Sequence, residues 1–303
     1  MPRQHFLGAA FLGGFSLDRT DPARGRSLWA RRRPGIDDAY QTNADSVAWR
    51  RDIFTTTDAG AGAWDPLTVD RHLGMTDPRI AAAIDRLVKG TLSPREWIST
   101  LVPFVATLFV RNPEFGPRFM RRLGDPPPEL AMGHADNTNT ARVAEMQRLL
   151  SPVMRADWAL VLNRSNVPLI TSDLGYTPMT DLSRDRWGYA IPVRIDAALV
   201  IVAPGPESPA SRQAVQPQAT RIVRSALGTD EVRSLNSHVA IVCRSEVYGA
   251  TREVVEAVDL TGPPIEIPDP AAGLIILPGF DLRQHEQDWI HVIGAISDEW
   301  AEP

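Results

Sequence analysis

DWALVLNRSNVPLITSD, Asp157–Asp173, is where the chain changes character. The apolar run Trp158 to Leu162 is followed by Asn163-Arg164-Ser165-Asn166, then by a second run, Pro168 to Thr171, that ends on Ser172-Asp173. Apolar runs bounded by turn formers predict two strands joined as a hairpin through a four-to-five-residue turn. Tyr189 to Val202, YAIPVRIDAALVIV, predicts further strand. Pro192 within it marks an edge or a break, because proline brings no N–H to a ladder.

Upstream of this stretch the pattern is helical. Ile80, Ala83, Ile84, Leu87 and Val88 form one apolar face, and Gly90 is the expected stop. Ser93-Pro94-Arg95-Glu96 has the chemistry of a helix start, with Ser as cap, Pro at the first position and Glu completing a capping box. Trp97, Leu101, Phe104, Val105 and Leu108 then share a face, with Pro103 expected to kink the helix before it ends near Arg111-Asn112-Pro113. Gly124 to Thr140, with three consecutive prolines and an Asn/Thr/Asp run, reads as a mobile loop or a linker, and a helix resumes at Ala141.

Downstream, Thr229 is expected to cap a helix whose buried stripe is Val232, Leu235, Val239 and Val242. Gly273 to Leu277 reads as a buried strand, and Asp281 to Trp300 as a closing helix. At the other end, HFLGAAFLGGF over His5–Phe15 suits one or two helical turns, with Gly13-Gly14 releasing the chain. Ser27 to Ala30 reads as a short strand, Arg33-Pro34-Gly35 as a turn and Arg51 to Thr57 as strand-like. The expected fold class is α+β: a small antiparallel or mixed sheet packed by a helical bundle, with long polar loops. The chain reads as one compact domain over residues 1–303, mostly helical over 64–157 and strand-containing over 158–303.

Composition excludes several classes. With 303 residues, 43% hydrophobic and 23% charged, the chain has ordinary globular proportions and needs no metal or disulfide to support its core. The one cysteine, Cys243, rules out an internal disulfide framework and reads as a buried small hydrophobe. No apolar run approaches the roughly 20 residues of a membrane span, so a non-membrane protein is expected, and the single cysteine is compatible with the cytoplasmic location expected for it. The N-terminal apolar segment is interrupted by glycine and reads as mature protein. Residues 1–150 carry 20 basic and 17 acidic side chains, whereas residues 151–303 carry 12 and 20. The Arg-rich stretch 19–33 is a possible contact for nucleic acid phosphate, but such runs are more often solvated loops.

Several short segments together resemble the bacterial family catalogued as domain of unknown function 4238. They are His5-Phe6-Leu7 with Phe11-Leu12 and Phe15, Asp52-Ile53-Phe54-Thr55, Arg111-Asn112-Pro113, Ile170-Thr171-Ser172-Asp173 and Leu235-Asn236. Gly8 and Leu174-Gly175 stand where members of that family usually have Pro and Asn-Pro. The resemblance implies a shared fold and a bacterial source, and no reaction.

Four polar residues far apart in sequence are candidates for a site: Asp173, His5, Arg111 and Asn236. A carboxylate at a strand end suits general-base work or ligand binding, and equally a turn in which Ser172 and Asp173 satisfy backbone N–H groups. His5 reads as an acid/base or a capping histidine, Arg111 as an anion site or the ion-pair partner of Asp173. Asp52, Asp58, Asp65 and Asp70 are either a two-carboxylate metal site or loop acids. No metal-ligand spacing, phosphate loop or nucleophile elbow is present, and metal and cofactor stay open. The functional expectation is a hydrolase or nuclease-like enzyme of a defence or toxin system; the alternative is a non-catalytic binding or assembly protein.

Overall fold

In the computed structural model, the structure describes residues 3–18, 22–35, 37–56, 65–123, 134–181, 186–203 and 222–267. In chain order the first elements are β1 (Arg3–His5), α1 (Ala9–Leu12), β2 (Ser27–Arg32), β3 (Tyr40–Asn43) and β4 (Trp49–Arg51). The helical part follows with α2 (Thr68–Leu73), α3 (Asp77–Lys89), α4 (Pro94–Glu96), α5 (Val102–Arg111), α6 (Phe115–Leu123) and α7 (His134–Arg155). Then come β5 (Asp157–Asn163), β6 (Thr171–Ser172), β7 (Thr177–Asp181), β8 (Arg186–Arg194), β9 (Ala197–Val202) and β10 (Val223–Leu227). The described chain closes with α8 (Thr229–Val242), β11 (Glu246–Gly249) and α9 (Arg252–Glu256).

The fold is α+β. Among the described residues the strands form a five-stranded sheet in the order β10-β5-β9-β8-β7, a four-stranded sheet β3-β2-β11-β6 and a ribbon β1-β4. The β10–β5 pair is parallel and the other pairs are antiparallel. The apolar side chains of both halves meet in one large buried cluster that runs from Phe6 to Ile267.

The hairpin expected at 157–173 does not form. β5 pairs with β9, Trp158 opposite Ile201, while Thr171 and Ser172 pair with Tyr248 and Val247 of β11 in the other sheet. The side chain of Asn163 explains the divergence: its amide donates to the carbonyls of Val167 and Ile195, at 2.7 and 3.2 Å, and its oxygen accepts from Ser165 N. These bonds fix the turn while steering the chain out of the first sheet. Residues 189–202 are themselves the hairpin, with β8 and β9 joined through Ile195-Asp196. Pro192 sits at an irregularity of register, beyond the end of β7, which covers β8 only from Arg186 to Ala190. β7 therefore asks no N–H of it, while on its other side it stands opposite Ala198 of β9.

Local signals fared better. Ser93 Oγ accepts from Glu96 N and the Glu96 carboxylate accepts from Ser93 N, a complete capping box. Gly90, at φ 78°, ends α3, with Thr91 N donating to Arg86 O as left-handed helix ends require. The break expected at Pro103 takes the form of a π-helical turn over Trp97–Leu101, directly before the proline. A widened turn accommodates a ring that cannot supply the usual N–H. Every residue of α5 is buried.

Other boundaries moved. The late helix is capped from Gly228, whose N–H meets the Glu231 carboxylate, one residue before Thr229. α7 starts at His134, so the Asn/Thr run read as loop is helix, and Thr138 and Asn139 are buried in it. Only Trp49–Arg51 is strand where Arg51 to Thr57 was expected; Asp52 adopts a positive φ of 54° and turns the chain. Residues 124–133, the strand expected at 273–277 and the helix expected at 281–300 lie outside the described residues.

Candidate functional site

The side chain of Asp173 is buried and fully engaged. It accepts from Arg244 N (3.0 Å), Ser245 N (2.8 Å) and Ser245 Oγ (2.6 Å), with the Cys243 thiol as a further donor. Burial pushes its pKa up, against the pull of those donors. The same surroundings, burial first and the Asp173 carboxylate second, push the Cys243 thiol up. Such a carboxylate pins the turn between α8 and β11. Asn236 is spent in the same way: its oxygen accepts from Ile170 N and its amide donates to Pro168 O, tying α8 to the segment before β6.

The other two candidates lie elsewhere and together. His5 and Arg111 line one cleft of about 1330 Å³, to which Asp173 and Asn236 do not contribute. Its floor is built from the residue types upward. Gln4, buried in β1, donates to Thr55 Oγ1 and accepts from Phe54 N, which fixes the ribbon that presents His5. His5 Nε2 lies 3.1 Å from the carbonyl oxygen of Asp45. A carbonyl only accepts, so Nε2 carries a proton in this contact.

Arg111, at the end of α5, has Asp77 as its partner rather than Asp173. Its Nη1 donates to both Asp77 carboxylate oxygens at 2.9 Å and to Leu73 O at 3.4 Å. The guanidinium lies 5.7 Å from the centre of the Phe54 ring, while Arg142 stands 5.3 Å from the same centre. Asn112 caps α5, donating to Phe109 O at 2.9 Å, and reaches the Tyr176 hydroxyl. The segments Asp52–Thr55 and Arg111–Pro113 therefore form one packed unit around Phe54.

Sequence reasoning passed over Asp77 and left Asp70 among four equivalent acids. Of those four, Asp52 accepts from Thr55 Oγ1, and Asp65 accepts from Leu67 N and pairs with Arg71; Asp58 lies outside the described residues. Asp70 is different. Half-buried at the cleft, its carboxylate meets no hydrogen-bond donor among the described residues. Burial raises its pKa above the ordinary 3.8; the charge of Arg111 opposes this, Asp77 adds to it, and His5 opposes it. The signal that could have found Asp70 is its place three residues before Leu73 in a helix that leads to Arg111's partner. That is a tertiary fact. Among the described residues no three His, Cys, Asp or Glu side chains gather as a metal-binding group.

Three arginines of the Arg-rich stretch, Arg31, Arg32 and Arg33, are spent on the chain's own carbonyls and carboxylates. Arg31 donates to Glu256 O, Val258 O and Gly35 O, and Arg33 to Ala240 O and Leu260 O. Arg32 pairs with Glu246, which also accepts from the hydroxyls of Tyr40 and Tyr248. Burial, with Glu246 adding to it, raises Tyr40 to about 12. Of this stretch, Arg24 and Arg26 line the cleft.

The model of the family described as a protein of unknown function (DUF4238) matches residues 3–253. The chain belongs to the DUF4238 family. No curated protein and no solved structure is similar enough to count as a match. The segments by which the DUF4238 chain resembles its family have a shared physical role here: four of the five, at His5–Leu7, Asp52–Thr55, Arg111–Asn112 and Asp173, end elements and turn the chain by side-chain or backbone hydrogen bonds. No helix among the described residues is long and apolar enough to cross a membrane.

Proposed function

We propose that this DUF4238 protein is a hydrolase whose active site is the cleft beside α3, with His5 and Asp70 as the proton-handling pair. One observation carries the reading: Asp70 is a half-buried carboxyl without a donor, within the electrostatic reach of His5 and of the Arg111–Asp77 pair. With Nε2 held by the Asp45 carbonyl, Nδ1 is the His5 nitrogen that would take a proton from water. A carboxyl whose pKa burial has raised is equipped to give one to a leaving group. Arg111 and Asp77 hold the ends of α5 and α3 in place around them.

The nuclease-like form of the reading draws less support than the general one. Asp45, Asp70 and Asp77 stand with His5 on this side of the cleft, an environment that repels a phosphodiester. The test is a panel of chromogenic esters, amides, glycosides and phosphodiesters assayed with the wild type, His5→Gln and Asp70→Asn. Turnover should fall about 10²- to 10⁴-fold in each variant; full turnover in both ends the proposal.

The non-catalytic alternative rests on a separate observation. Ile241 and Ile265, 39% and 57% exposed, are joined by the hydrogen bond from Ile265 N to Ile241 O, an apolar pair on the outer side of α8. Light scattering of the wild type and of Ile241→Glu distinguishes it: an oligomer dissolved by the substitution supports assembly, and a monomer in both removes it.

A further inference from the structure

Arg111 and Asp70 bring opposite charges to one cleft and do not close on each other. The charge of Arg111 acts on Asp70, yet no nitrogen of Arg111 stands within ion-pair distance of the Asp70 carboxylate. One short stretch fixes both. Gly74 N donates to Asp70 O at 2.8 Å and Asp77 N to Gly74 O at 3.0 Å, while Arg111 Nη1 donates to Leu73 O and to the Asp77 carboxylate. Nη1 is thereby occupied, and Nη2 has no hydrogen-bond partner among the described residues. Gly74 lines the cleft together with Asp70, Asp77 and Arg111. A Cβ built on it would lie 3.7 Å from Arg111 Nη2, 3.7 Å from Asp77 Oδ2 and 3.0 Å from Asp70 O. Its backbone, at φ −87°, does not require glycine. What the glycine supplies is an open place against the free nitrogen of Arg111.

We infer that this DUF4238 cleft takes an amide, its carbonyl oxygen over Gly74 on Arg111 Nη2 and its nitrogen at Asp70. This rests on the hydrolase reading and deepens it: the bond that is cut is the amide C–N bond. A carbonyl oxygen beside an N–H answers a free donor and a free acceptor at once, whereas an ester answers only the donor. Charge separates an amide from a glycoside. Negative charge grows on a carbonyl oxygen as water adds to its carbon, and an arginine N–H stabilises it. Positive charge grows on a sugar ring as its glycosidic bond breaks, and the same arginine opposes it. In the reaction the water oxygen bonds to the carbonyl carbon while its proton passes to His5 Nδ1. The oxyanion then re-forms the carbonyl, and the C–N bond breaks with its electron pair on nitrogen, which takes the Asp70 proton. A carboxylic acid and an amine leave, and solvent carries the His5 proton back to Asp70.

The experiment is an NMR titration of the full chain with acetamide, benzamide, their methyl ester counterparts methyl acetate and methyl benzoate, and methyl glucoside. Each amide should bind at least about tenfold more tightly than its ester, as one added hydrogen bond to a charged group implies. Gly74→Ala puts a methyl where the carbonyl oxygen would sit and should weaken amide binding by a similar factor, with a melting curve to report that the chain is folded. Arg111→Met combined with Asp77→Asn removes the donor and its partner together, and should bind amide and ester alike. Equal binding of amide and ester by the wild type, tighter binding of the glucoside, no binding of any of the five, or a folded Gly74→Ala chain that binds amides like the wild type overturns the inference. Amide-selective binding with no turnover of any chromogenic substrate keeps the amide site and ends the hydrolase reading. Turnover of esters or glycosides that needs His5 and Asp70, without selectivity for amides, does the reverse.

Discussion

Arg111 grips both carboxylate oxygens of Asp77 from a single nitrogen, 2.9 Å to each. The arginine side chain is 6% exposed and the aspartate 29%, so the pair lies at the boundary between core and cleft. A charge left alone at such depth is costly, whereas an apolar replacement of both partners often is not. Asp77→Asn should therefore destabilise by roughly 3 kcal/mol, and Arg111→Met in the same chain should recover much of it. Urea unfolding of the two single variants and the double variant checks this; additive losses would mean that the pair is not coupled.

Gly8 tests the same pair from the other side. Its backbone, φ −59° and ψ 132°, suits any residue, so conformational freedom is not what keeps glycine there. Space is. An added methyl would sit 2.7 Å from Asp77 Oδ1 and must displace the carboxylate that Arg111 holds. Gly8→Ala should cost about 1–3 kcal/mol as an overpacked contact. In an Asp77→Ala background the cost should vanish, a result readable from two thermal melts.

How much of this was legible beforehand depends on the range of the interaction. Ser93 and Glu96 announce their helix because the bonds that cap it close within four residues, and Gly90 does the same at the far end of α3. The partner of β5 was not legible. Alternation of apolar residues says which face of a strand is buried and nothing about which neighbour it meets, so Pro168 to Thr171 and Ala197 to Val202 were equally suitable. The site behaves likewise. His5 and Arg111 stand out as residue types and do share a cleft, but Asp77 looks like an ordinary acid in the first turn of a helix until Arg111 arrives from 34 positions later. Asp173 stood out for its strand-end position, and that position is what commits it to the backbone of Arg244 and Ser245.

Asp173 should thus matter to folding and not to turnover. Asp173→Asn presents an amide to groups that are all donors, leaving at least one of Arg244 N, Ser245 N and Ser245 Oγ without an acceptor. An unsatisfied buried donor costs about 1–3 kcal/mol. The variant should melt earlier, while kcat per folded molecule stays at the wild-type value. A fall in kcat at full folding would move Asp173 into the chemistry.

Asp70 should show the opposite pattern, less stability in exchange for function. Its folded pKa is raised, chiefly by burial, so the unfolded chain ionises at lower pH than the folded one. Its contribution to stability is fully present below the ordinary value of 3.8 and is lost as pH rises through the folded pKa. Asp70→Asn removes that loss. The variant should melt at a higher temperature than the wild type at pH 7, and the advantage should close as the pH is taken below 3.8. Hydrolysis should be reduced about 10²- to 10⁴-fold in the same variant. A carboxyl kept at a cost in stability, with activity as its return, is the expected mark of a working residue. Melting curves at three or four pH values, read beside the kinetics, decide it: a variant that is less stable at pH 7 and fully active would make Asp70 a structural acid like Asp65.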